Sequence, residues 1–117
     1  MHDELLIQLI NEACINEKAD DLVALDVSKM TSLTEYFFIA SGRNYKHVKS
    51  ISDTIHKYLS EHSIMPLRQE GYQESAWIIM DYNSVIIHIF TNERRNHYDL
   101  ERLWGGAQKV DISAGIS

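Results

Sequence analysis

Asp81 and His88 are the residues of this chain best suited to chemistry, because each interrupts an apolar string within WIIMDYNSVIIHIF (Trp77 to Phe90). A carboxylate and an imidazole held together can orient a base, relay a proton or ligate a metal. Each of those uses needs a further group. A hydrolase needs a Ser or Cys nucleophile beside its base, and no Gly-x-Ser-x-Gly turn is present to offer one. Among the six histidines, His56 and His62 fall on different faces of a helix, and neither HExxH nor CxxC accompanies them. Cys14 is the only cysteine, so neither an internal disulfide nor a cysteine cluster is available. No metal and no cofactor are therefore expected. Ser41-Gly42-Arg43 stands where a strand hands over to a helix, a suitable place for an anion, yet one glycine is a weak phosphate-cradling loop. Nucleotide transfer would want paired acids for two metal ions, whereas the chain has adjacent Asp20-Asp21 and a solitary Asp26. Catalysis is not expected. The strongest enzyme alternative is a nucleotidyltransferase or phosphotransferase using Asp26, Asp81 and His88 near Ser41-Gly42.

Positioning Asp81 and His88 falls to a hairpin. Strand side chains alternate between faces, and a two-residue loop at Asn83-Ser84 pairs Tyr82 with Val85. Ile78, Met80, Tyr82, Val85, Ile87 and Ile89 then share one apolar face that should lie under helices. Trp77, Ile79, Asp81, Ile86, His88 and Phe90 share the other, with Asp81 and His88 diagonal neighbours within side-chain reach. Aromatics and isoleucines mixed with two polar groups suit the centre of a protein-binding patch. The bland alternative is a sheet with helices on both sides, which would make Asp81–His88 an internal pair and Trp77 and Phe90 ordinary core residues.

Around the hairpin, Leu5, Leu6, Leu9, Ile10 and Ala13 give a helical stripe over 3–18. LVALDV (22–27) and YFFIAS (36–41) read as buried strands flanking a Ser/Thr-rich loop at 28–34. Asn44 is placed to cap a helix running to about Glu61, with Val48, Ile51, Ile55, Tyr58 and Leu59 on one stripe. Residues 64–73, with Pro66 and Gly71, read as a connection holding a short strand around Leu67. RRNHYDLERLWGG reads as a last helix, with Tyr98, Leu100, Leu103 and Trp104 as its apolar residues, stopped at Gly105-Gly106. From Ala107 the weak periodicity predicts a surface tail. The expected class is α/β: a mixed sheet with helices packed on it, in one domain over 1–117 with its core at about 3–112.

Composition bounds the partners. The 117 residues carry a formal charge of −6, with 44% hydrophobic and 24% charged residues. A negative chain is a poor ligand for DNA and suits a basic partner. MHDELLIQLINEACINEK lacks the basic start of an export signal, and no apolar run reaches the roughly 18–20 residues that cross a bilayer. A cytoplasmic protein without membrane attachment is expected.

The residues EGY (70–72), Trp77, Asp81, VIIHIF (85–90), Arg95, Tyr98 and LERLWG (100–105), with KADDLVALDVSKMTSLTEYFFIASG (18–42), resemble the ribosomal silencing factor family, also called the Iojap family. One departure is Asn83-Ser84, where the family often has Gly-Asp. The resemblance implies a small α/β protein with a nucleotidyltransferase-like topology lacking the catalytic carboxylates. It further implies a partner, the large ribosomal subunit, met through large-subunit ribosomal protein fourteen on the face that receives the small subunit. Occupying that surface would stop the subunits joining and repress translation. Family members are often homodimers when free, and organelle relatives serve in ribosome assembly. Combined with the strand geometry, this makes Trp77, Ile79, Asp81, His88 and Phe90 the expected docking face, extended by Tyr98 and Leu100. Trp77 and Phe90 would be apolar anchors, Asp81 the acceptor for a partner Lys or Arg, and His88 a support for Asp81 or a donor to a partner carbonyl. Trp77→Ala would then weaken binding and leave the fold intact.

Overall fold

The computed structural model describes residues 2–98, 102 and 104–112. The elements in chain order are α1 (His2–Asn16), β1 (Asp20–Asp26), β2 (Tyr36–Gly42), α2 (Tyr45–Ser60), β3 (Arg68–Glu70), β4 (Trp77–Asp81), β5 (Val85–Thr91), α3 (Asn92–Tyr98) and β6 (Gln108–Val110). The six strands form one mixed sheet in the order β3-β4-β5-β2-β1-β6. Only the central pair, β2 with β5, is parallel; every other neighbour is antiparallel. This is the mixed α/β class expected from the alternation of helical and strand patterns.

The helical elements follow from their stripes. On α1, Leu6, Leu9, Ile10, Ala13 and Cys14 are buried, while Leu5 turns outward and leaves the expected stripe. Burial in apolar surroundings pushes the Cys14 thiol far up, so it acts as a small core residue. On α2, Val48, Ile51, Ile55 and Leu59 are fully buried. Asn44 caps α2 as expected, its side chain accepting from the His47 amide at 2.8 Å.

The hairpin register is the one that a two-residue loop dictates. Trp77 pairs with Phe90, Ile79 with His88 and Asp81 with Ile86, and the Tyr82 amide donates to the Val85 carbonyl. Asn83 adopts φ 72, a left-handed conformation that Asn tolerates better than most residues. Ile78, Met80, Tyr82, Val85, Ile87 and Ile89 join Leu6, Ile10, Ile51 and Ile55 in the main core. The face expected to lie under helices does so.

One expectation is corrected here. The described residues after Ala107 do not trail as a tail: Gln108–Val110 form β6 and pair antiparallel with Ala24–Asp26. A three-residue edge strand needs no periodicity of its own, because β1 supplies the hydrogen-bond template. The last helix also differs from its expected extent, beginning at Asn92 and described as far as Tyr98.

Candidate functional site: the aromatic face of the sheet

The sheet face away from α1 and α2 is assembled in cross-strand rows. One row runs Ile79, His88, Ile39, Val23 across β4, β5, β2 and β1. The next runs Arg68, Asp81, Ile86, Phe37, Leu25, Lys109. Trp77 stands beside Phe90 and Ser41 in the row on the other side of His88. Leu25, Val27, Phe37, Ile39 and Phe90 form a second, smaller core here, with Trp77, Ile86, Trp104 and Ala107 packed on it and only partly buried.

His88 is the hub of this face. The Trp77 indole Nε1 donates to His88 Nδ1 at 3.1 Å. The Phe37 ring meets the imidazole at right angles, with centroids 5.0 Å apart, and Phe90 is stacked parallel to it at 6.2 Å. Trp77 in turn stacks on Phe90 at 4.9 Å. Burial holds the imidazole pKa down to about 4, so the ring is neutral near pH 7.

Three expectations about this face change. Phe90 is 0% exposed, so it is no surface anchor; it is the floor on which the half-buried Trp77 rests. Asp81 and His88 do not pair. The Asp81 carboxylate accepts from the Asn83 amide at 2.8 Å and faces Arg68 Nε at 3.4 Å, so it caps its own turn. His88 spends its acceptor on Trp77 instead. Finally, Trp77→Ala cannot leave the monomer untouched, because it removes a stacked ring and orphans His88 Nδ1. Ile79 and Ile86 remain half-buried on the face as expected. Leu100 and the side chain of Tyr98 lie outside the described residues.

Phe37, Arg68 and Trp104 join the face without having been expected there. Phe37 reaches His88 because β2 runs parallel to β5, a register that no local pattern encodes. Trp104 meets Phe37 edge-on at 4.9 Å. The period-two geometry of a strand over YFFIAS does place Phe37 on one face with Ile39, although the run is apolar almost throughout and does not say which face that is.

The residues of the enzyme alternative are not gathered. Asp26 alternates with Leu25 along β1, so it points away from the face that bears Asp81 and His88. Its carboxylate accepts from the Ser28 amide and hydroxyl at 3.0 and 2.6 Å, and those bonds hold its pKa down. Ser41 is buried and accepts from Arg95 at 2.8 Å.

Comparison with known proteins converges on one family. The family model described as "Ribosomal silencing factor during starvation" matches residues 1–116. The chain is 33% identical over 117 residues to ribosomal silencing factor RsfS of Halalkalibacterium halodurans, covering 100% of each. A crystal structure of a protein from Chromobacterium violaceum superposes with a TM-score of 0.86 at 31% identity, over 95% of this chain and 92% of that one. A mouse protein named "Mitochondrial assembly of ribosomal large subunit protein 1" is 29% identical over 104 residues, which is 86% of this chain and 44% of that protein. With the family match spanning nearly every residue and the fold superposing over most of both chains, the chain belongs to the ribosomal silencing factor family.

Proposed function

We propose that this protein binds the large ribosomal subunit through large-subunit ribosomal protein fourteen, on the surface that receives the small subunit, and represses translation by steric exclusion. The observation that carries this reading is the second sheet face. Neither α1 nor α2 packs on it, and its half-buried Trp77, Ile79 and Ile86 surround a rigid aromatic floor. Large half-exposed aromatics on a fixed base are where binding energy concentrates at interfaces. Asp81 and Glu70 on neighbouring strands, with the chain's charge of −6, suit a basic ribosomal protein. The protein acts here by occupancy, in the cytoplasm, without catalysis. Among the described residues no helix is long and apolar enough to cross a membrane.

The test is Ile79→Lys, which places a cation on the face while sparing the stacked rings. Sucrose-gradient sedimentation of lysate should show wild type with free large subunits and absent from joined ribosomes. The variant should lose large-subunit comigration by more than about tenfold, as an interface-centre substitution does. Unchanged comigration would show that the face is wrong.

The same surface is where a second copy would cover Trp77 in the free protein. Equilibrium sedimentation of wild type beside Ile79→Lys should then show the dimer weakened in the variant. A role in large-subunit assembly is the second reading, favoured by the printed name of the mouse relative. Migration with large-subunit precursors in preference to mature subunits would support it.

A further inference from the structure

Resting on that docking reading, we infer that His88 is the specificity-determining donor of the face, its Nε2–H kept for an oxygen acceptor that the protein partner brings. An indole nitrogen can only donate, so the 3.1 Å contact from Trp77 Nε1 makes His88 Nδ1 the acceptor. In the neutral ring the proton then stands on Nε2. That nitrogen is buried without a hydrogen-bond partner among the described residues, and His88 as a whole is only 8% exposed. A donor taken out of water and left unpaired is costly, and native proteins keep few of them.

Among the described residues, nothing on this face turns to accept from it. Asp81, diagonal to His88 across the hairpin, is committed to the Asn83 amide and to Arg68. Ile79 and Ile39 flank His88 on the adjacent strands, and Phe37 and Phe90 present ring surfaces. Ile79, paired with His88 across the hairpin, and Ile86, two residues before it on β5, are half-buried neighbours on the same face. The group that fits is a neutral oxygen, a backbone carbonyl or an amide side chain, on a segment that packs against apolar side chains. A cation is refused there, since a neutral N–H repels it. Cations belong instead at the neighbouring edge, where Asp81 and Glu70 share Arg68 at 3.4 and 3.5 Å and keep a net negative charge between them. That pairing of a carbonyl with a nearby basic side chain describes a basic protein loop better than a phosphate backbone, which the net negative charge left around Arg68 would repel.

Two replacements test the donor. Installing Nε2-methylhistidine at position 88 keeps the ring and its Nδ1 acceptor and replaces the Nε2 hydrogen with a methyl group; His88→Phe removes both nitrogens. Affinity for purified large subunits should fall by more than about tenfold in both, with melting temperatures not lowered to match, because a site built for a hydrogen bond penalises its absence. Wild-type affinity in both variants overturns the inference. So does an affinity loss that merely tracks a stability loss, or the same loss measured on protein-free large-subunit RNA. Should the methylated protein fail to fold, His88→Phe decides alone. Ile79→Lys separates the two failures. If it abolishes binding while both His88 variants bind as wild type, only the donor assignment falls; if it also binds normally, the docking face falls as well.

Discussion

At the scale of single residues, His88 links the face to pH. Its pKa is lowered from 6.5 to about 4 by burial. Between those values the unfolded chain takes up a proton that the folded chain refuses, so stability rises with pH across this window. Lowering the pH from about 6.5 toward 4 should therefore cost the fold about 3 kcal/mol through this one group. Urea unfolding measured from pH 7 to pH 4.5 should show that slope, and His88→Phe should flatten it. What the sequence revealed at this scale was the identity of the odd residues, not their partners. Asp81 and His88 stood out because they break apolar strings, yet their hydrogen bonds depend on which neighbour is nearer in space. Asp81 serves its own turn through a contact two residues away. His88 serves Trp77 across the hairpin. Phe90 looked like Trp77 in sequence and differs from it in burial, because the indole lies over it.

At the scale of elements, the β4–β5 hairpin was legible and β6 was not, for opposite reasons. A two-residue turn and strict alternation fix a register locally, so the two faces could be assigned before any coordinates. Gln108–Val110 has two exposed residues of three and no alternation to read; its strand character comes wholly from β1. The parallel register of β2 against β5 was equally hidden, and with it Phe37's place beside His88. One glycine ties the elements around Trp77. Gly71 has φ +80, and a Cβ there would lie 2.1 Å from the Trp77 carbonyl oxygen. Gly71→Ala must push β4 aside as well as adopt a strained backbone. It should cost more than about 2 kcal/mol in a denaturant titration. It should also weaken large-subunit binding beyond what the lost stability explains, because the indole is carried along.

At the scale of the whole molecule, charge and asymmetry act together. Two long helices seal one side of a six-stranded sheet, and the other side keeps a half-open aromatic surface. The net charge of −6 was readable from composition and says how a basic partner is approached, although not where. Association with large subunits should slow by about tenfold or more between 50 and 300 mM salt, with dissociation changing far less, as surface-plasmon kinetics would resolve. Equal salt sensitivity in both rates would argue against long-range attraction. The parallel junction of β2 with β5 carries a last consequence, for time. All of α2, β3 and β4 lie between those two strands in the chain, so their meeting closes a long loop and should be a late, slow event. Indole emission followed by stopped-flow refolding should accordingly change in two steps, an early one as Trp77 settles on Phe90 and a later one as Phe37 arrives beneath Trp104. A nascent chain holding only the first of these would be mute toward the ribosome that is making it.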